Sequence, residues 1–143
     1  MNRAVVIGGA SGIGLATVDA FVGEGMQVVV ADRDVERAEQ VAATRDGARA
    51  VHLDVTDEDS VATTFADIGD FDTVVNCAGL SNPGALTELE LDAWRNTVDI
   101  CLTGTFLVIK HAGARIAEGG SITCIASLNG RQPGAGMGAY CAS

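Results

Sequence analysis

Apolar residues in the first half of the chain fall into short unbroken runs, separated by stretches in which they recur every three or four positions. Alternation of these two patterns predicts strand, helix, strand, helix. The first run enters a strand by about Ala4 and breaks into glycines from Gly8 onward. Ile13, Ala16, Thr17, Ala20 and Phe21 then recur at helical spacing, and Gly23 to Gly25 marks the stop. Gln27 to Ala31 predicts a second buried strand ending at Asp32, and Asp34 is placed to cap a helix with Val35, Ala38, Val41 and Ala42 on one face. Ala48 to Leu53 predicts the third strand, Val61, Phe65 and Ile68 one face of a third helix, and Asp72 to Asn76 the fourth strand. Each return to a parallel strand needs a helical crossover, so the pattern predicts an α/β fold with a parallel sheet covered on both faces.

Beyond the fourth strand the pattern lengthens. A helix is expected from about Leu89 to Ala117, with apolar residues on more than one face. Trp94, Val98, Cys101, Leu102, Thr105 and Ile109 form one stripe, while Ile100, Leu107 and Val108 point elsewhere. One face would cover the sheet; the other suits a partner helix or burial by the chain itself. Gly120 to Ala126 predicts strand five, which delivers Ser127 to the sheet edge that also carries Asn76. A glycine-rich loop, Asn129 to Gly138, leads to Tyr140, Cys141, Ala142 and Ser143.

At 143 residues, 48% hydrophobic and 20% charged, the chain has the composition of one soluble globular domain, residues 1–143. Its net charge of -10 and scattered arginines argue against a nucleic-acid partner. No apolar run is long enough to span a bilayer and no secretion signal precedes the first strand, so no membrane partner and a cytoplasmic location are expected. Cys77, Cys101, Cys124 and Cys141 lie far apart in apolar surroundings and read as reduced, space-filling thiols, with no metal site. His52 and His111 lack companion ligands and read as structural residues.

The first turn carries the chemistry. Val5 to Gly14 reads Val-Val-Ile-Gly-Gly-Ala-Ser-Gly-Ile-Gly, a strand, a glycine turn and a helix start. Glycines let main-chain N–H groups approach a pyrophosphate, whose charge then rests at a helix N-terminus. An ordinary tight strand-to-helix connection would use some of the same residues. Asp32 stands eighteen residues beyond Gly14, where a carboxylate accepts from adenosine ribose hydroxyls. Its charge repels a 2'-phosphate and favours NAD over NADP, although Arg33 keeps NADP open. A helix-capping role for Asp32 is the other reading, with Asp34 better placed for it.

Taken together, Gly8 to Gly14, Asp32, the Leu53-Asp54-Val55 step, Asn76-Cys77-Ala78-Gly79, and Ser127 thirteen residues ahead of Tyr140 resemble the short-chain dehydrogenase/reductase family. The resemblance implies a Rossmann-type doubly wound parallel sheet with strand order 3-2-1-4-5. It implies a cofactor site at Gly8, Ser11, Gly12, Ile13, Gly14, Asp32 and Arg33, continued by Asp54, Val55, Asn76, Ala78, Gly79 and Tyr140. Tyr140 would act as general acid/base and Ser127 would orient the oxygen of a small alcohol or carbonyl substrate during hydride exchange with NAD(H). A phenol moves its proton near neutral pH only beside positive charge, which the family takes from a lysine four residues after the tyrosine and from oxidised nicotinamide.

Several positions depart from the family pattern. Ile7 replaces a frequent threonine, Cys77 an asparagine, and Cys101 the active-site asparagine of Asp99-Ile100-Cys101-Leu102-Thr103-Gly104. A thiol is a weak donor and acceptor beside an amide, which puts the family's water-linked proton relay in question. The motif lysine would follow Ser143, and the only lysine is Lys110. These residues are therefore expected to be the N-terminal part of a longer enzyme, with strand five an unpaired edge and with little turnover by themselves. The helix from Leu89 to Ala117 suggests a homodimer or homotetramer. A non-catalytic NAD-binding module would need the glycine turn and Asp32 but not Ser127 and Tyr140. A methyltransferase of related fold has no use for that serine-tyrosine spacing.

Overall fold

A computed structural model describes residues 2–143. Strands β1 (Arg3–Ile7), β2 (Gln27–Asp32), β3 (Ala48–His52), β4 (Thr73–Asn76) and β5 (Ser121–Cys124) form one parallel sheet in the order β3-β2-β1-β4-β5. Between them run α1 (Gly12–Gly23), α2 (Val35–Ala42), α3 (Glu58–Asp67), α4 (Leu91–Val98) and α5 (Gly104–Gly113), with a short α6 (Gly138–Ala142) at the end. This is the doubly wound Rossmann-type arrangement expected from the sequence.

Two apolar layers explain the near-continuous apolar strands. Side chains alternate across a strand, so Val5 and Ile7 of β1, Val29 and Ala31 of β2 and Val74 of β4 enter one layer. Val61 and Phe65 of α3 and Leu107, Val108 and Ala112 of α5 close it. Val6, Val28 and Val30 enter the opposite layer, under Val18 of α1 and Ala38 and Val41 of α2. Val5 lies opposite Val29 on one side and Val74 on the other, so β1 is the centre of the sheet. Each valine buried this way contributes roughly 1.5–3 kcal/mol relative to exposure.

Helix ends follow local chemistry. At the end of α1, Gly25 adopts φ +76° while its N–H donates to Val22 O and that of Met26 to Phe21 O, a left-handed stop that only glycine takes without strain. Asp34 caps α2 as expected, its Oδ1 accepting from Arg37 N at 3.0 Å. Asp34→Ala is expected to destabilise the chain by about 1 kcal/mol, measured as a lower urea midpoint at unchanged slope.

The expected Leu89–Ala117 helix differs in three ways. It runs from Leu91 to Gly113 and is interrupted by a π-helical turn, Asp99–Thr103, between α4 and α5. It stops early because the N–H groups of Arg115 and Ile116 both turn back to Ala112 O. The face on the sheet carries Thr97, Ile100, Gly104, Leu107, Val108 and Ala112, whereas Leu102, Phe106 and Ile109 are exposed. Trp94, Val98, Cys101 and Thr105 are half-buried between these faces. The wider turn rotates the later residues relative to a strict 3.6-residue period. Gly104 follows it because a Cβ there would lie 2.8 Å from Val55 Cγ2.

Strand five is shorter than expected, although Ile125 N still donates to Asn76 O at 2.9 Å. Among the described residues no helix is long and apolar enough to cross a membrane.

Candidate functional site

At the carboxy end of β1 the chain must reverse against β2 and start α1 within a few residues. Gly8 and Gly9 both donate their N–H to Ala31 O, at 2.9 and 3.2 Å, and Gly8 takes φ +71°. An alanine Cβ at Gly14 would sit 2.0 Å from Gly8 O, so the helix starts in contact with the backbone of the turn. Ser11, in extended conformation before the helix, makes no side-chain cap. The first N–H groups of α1 have no partner within the helix. They thus present uncapped donors, with the positive end of the helix dipole, to a negatively charged group.

These groups border a cleft of about 330 Å³, within the usual range for ligand sites, about 300–1,000 Å³. Gly8, Ser11, Gly12, Ile13, Gly14, Asp32, Arg33, Asp54, Val55, Ala78 and Gly79 line it, together with Ile7, Leu53, Cys77, Leu80 and Ile100. Asp32 is held from two sides: Oδ2 accepts from Ala10 N and Oδ1 from Asp34 N, each at 3.1 Å. The carboxylate at the end of β2 is thereby fixed in orientation at the cleft wall.

Asp54 lines the same cleft. Partial burial acts to raise its pKa, but the Thr56 hydroxyl at 2.7 Å and Thr56 N–H at 2.9 Å, with Arg33 and His52 nearby, outweigh burial and hold the carboxyl below the ordinary aspartate range. Because the folded pKa is the lower one, this stabilisation is fully present above the unfolded value, about 3.9. It disappears as pH falls through the folded value. Asp54→Asn is expected to flatten the loss of stability below about pH 4, read from urea midpoints at pH 5 and pH 3; an unchanged acid limb would refute it. Burial pushes the Cys77 thiol up despite a hydrogen bond with the Thr17 side chain, and burial also raises Cys124, so both stay protonated at neutral pH.

Asn76 is not on the cleft wall. It is buried, its Nδ2 donates to Thr105 Oγ1 at 3.2 Å and its Oδ1 accepts from Ala78 N at 3.1 Å. Ser127 precedes a 3-10 turn, Leu128–Gly130, and its Oγ accepts from Asn129 N at 3.2 Å. Tyr140 is half-buried on α6, which packs against α4 and that turn. Parallel pairing of β5 with β4 brings Ser127 to the sheet edge that carries Asn76. Neither Ser127 nor Tyr140 lines the cleft.

Leu80 and Ile100 are cleft residues that motif spacing did not mark. They could have been found only from the strand-four loop and the long helix meeting at one place. Their meeting point is Cys101. Its Sγ lies 3.4 Å from Leu80 N and 3.3 Å from Leu80 O, so the thiol both accepts and donates. His111 has a carboxylate partner: its Nε2 and Lys110 Nζ both meet Glu58 Oε1, at 3.1 and 2.5 Å.

A family model described as short chain dehydrogenase matches residues 2–143. The cis-4-hydroxycyclohexanecarboxylate dehydrogenase of Sinomonas cyclohexanicum is 43% identical, over 98% of this chain and 60% of that enzyme. The 3-alpha-(or 20-beta)-hydroxysteroid dehydrogenase of Mycobacterium bovis is 40% identical, over 89% of this chain and 52% of that enzyme. A solved short chain dehydrogenase/reductase family protein superimposes with a TM-score of 0.88 at 33% identity, over 99% of this chain and 61% of its own. The chain thus spans 60% or less of the length of these two curated relatives. By its sequence and by the sheet that carries its glycine turn, the chain belongs to the short-chain dehydrogenase family.

Proposed function

We propose that residues 1–143 form one dinucleotide-binding domain of an oxidoreductase that exchanges a hydride between NAD(H) and a small alcohol or carbonyl compound. The observation that carries this reading is the uncapped start of α1, packed on Gly8 and opening on the same cleft as the doubly anchored Asp32 carboxylate. The residues fit a dinucleotide. Main-chain N–H groups at Gly12 to Gly14 suit its pyrophosphate, and Asp32 suits the adenosine ribose hydroxyls. Arg33, Asp54, Val55, Ala78 and Gly79 line the same cleft.

The nicotinamide supplies or accepts the hydride. Ser127 would hold the substrate oxygen by its hydroxyl, and Tyr140 would give or take the proton of that oxygen. The two curated relatives are by name dehydrogenases of hydroxylated ring compounds, which supports an alcohol or ketone as substrate. The single lysine, Lys110 of α5, is paired with Glu58 of α3 and is not a partner for Tyr140. The 143 residues alone are therefore proposed to bind cofactor with little turnover. The exposed Leu102, Phe106 and Ile109 support a homodimer or homotetramer built on this helix, which light scattering would report.

Separate titrations with NADH, NADPH and S-adenosylmethionine test the reading. NADH is expected to bind at least about tenfold more tightly than NADPH, because Asp32 accepts from ribose hydroxyls and repels a 2'-phosphate. Asp32→Ser should close most of that gap. Equal or tighter binding of NADPH to the unsubstituted chain would overturn the NAD preference, and saturable binding of S-adenosylmethionine alone would overturn the reaction class.

A further inference from the structure

We propose that Cys101 is a positioning residue, whose thiol fixes the Gly79–Leu80 stretch of the cleft wall by pairing with both main-chain groups of Leu80. The cofactor consequence rests on the dinucleotide reading above; the positioning itself does not.

The segment after β4 has no strand partner to hold it, yet it forms one side of the cleft through Ala78, Gly79 and Leu80. Its start is tied by Cys77 N to Ile7 O at 2.9 Å and by Ala78 N to Asn76 Oδ1 at 3.1 Å. Among the described residues its far end is hydrogen-bonded through Cys101, whose Sγ accepts from Leu80 N at 3.4 Å and donates to Leu80 O at 3.3 Å. The π turn that carries Cys101 is braced in turn. Thr105 Oγ1 donates to Cys101 O at 2.7 Å, and Asn76 Nδ2 donates to Thr105 Oγ1 at 3.2 Å. The hydrogen bonds therefore close a loop from Asn76 through Thr105 and Cys101 to Leu80, and the backbone from Asn76 to Leu80 completes it.

A thiol of this kind can do what an apolar side chain of similar size cannot. It carries one weak donor and one weak acceptor on a single atom, enough for one N–H and one C=O of the same residue. A group that merely filled the space would leave Leu80 N–H and C=O unpartnered inside a half-buried loop. Gly79 sits between the two anchors with room around it, so the wall it forms is only as well placed as the pin at Leu80.

The test compares Cys101→Val, which keeps the bulk but removes donor and acceptor, with Cys101→Asn, which restores both. Amide hydrogen exchange at Leu80 is read by NMR, and NADH affinity by fluorescence. Cys101→Val is expected to speed Leu80 exchange about tenfold relative to amides of β4, the scale of a buried group losing its partner. NADH affinity should fall severalfold without a matching fall in melting temperature, and Cys101→Asn should bring both back toward the starting values. Unchanged Leu80 exchange in Cys101→Val would overturn the proposal, as would a loss that Cys101→Asn does not rescue and that tracks global stability. If the unsubstituted chain binds neither NADH nor NADPH, the dinucleotide reading falls, and Leu80 exchange still decides the role of Cys101.

Discussion

Gly14→Ala is expected to be the most damaging single-methyl change at the cleft, destabilising the chain by about 3 kcal/mol and weakening NADH about a hundredfold, or roughly 2.7 kcal/mol. The added Cβ would lie 2.0 Å from Gly8 O, 2.7 Å from Gly8 C and 3.1 Å from Gly9 Cα. All three are backbone atoms, so no rotamer change relieves the overlap. Gly8 cannot retreat without breaking its N–H bond to Ala31 O, which ties the turn to β2. Gly12→Ala is the informative control. It has nothing within 4 Å but a φ of +51°, so it isolates backbone strain from close approach. Its expected effect is about 1 kcal/mol. Equal effects from the two substitutions, in urea unfolding and NADH titration, would show that closeness is not what Gly14 provides.

Phe65→Ala is expected to remove about 3–5 kcal/mol, a large share of the 5–15 kcal/mol typical of a whole domain. Phe65 on α3 is 1% exposed and meets the equally buried Phe71 with ring centroids 5.4 Å apart and planes tilted by 44°. The pair fills the space between α3 and the sheet, where the small side chains of the strands cannot follow a retreating ring. Phe106→Ala supplies the contrast, since that ring is 59% exposed and its loss should be nearly neutral for folding of one chain. Urea denaturation of both, at matched protein concentration, checks the difference. A Phe65→Ala midpoint near that of Phe106→Ala would mean that α3 repacks over the gap.

The strands were legible because each is buried on both faces, which writes them as unbroken apolar runs such as Val28 to Ala31. The turns were legible because glycine is required where φ is positive, as at Gly8 and Gly25. Asp34 was legible as a cap from its place one residue before an amphipathic stripe. The π turn was not, because one extra residue in a helical turn leaves no mark on composition and displaces only the faces that follow. Phe106 was for that reason missing from the expected outer stripe, although it is among the most exposed large apolar residues of the long helix. Leu80 and Ile100 went unmarked as cleft residues because their place depends on contacts between segments about twenty residues apart, which no local period encodes.

Gly8 also has a bearing on the order in which the protein matures on the ribosome. A Cβ at that turn would be 3.1 Å from Cys77 C and Ala78 N, and β1 is flanked on that side by β4. Strand β1 therefore waits for a strand synthesised well after it before its pocket has a second wall. Until β4 is synthesised and docks, the glycine bend has only half of the cradle around it.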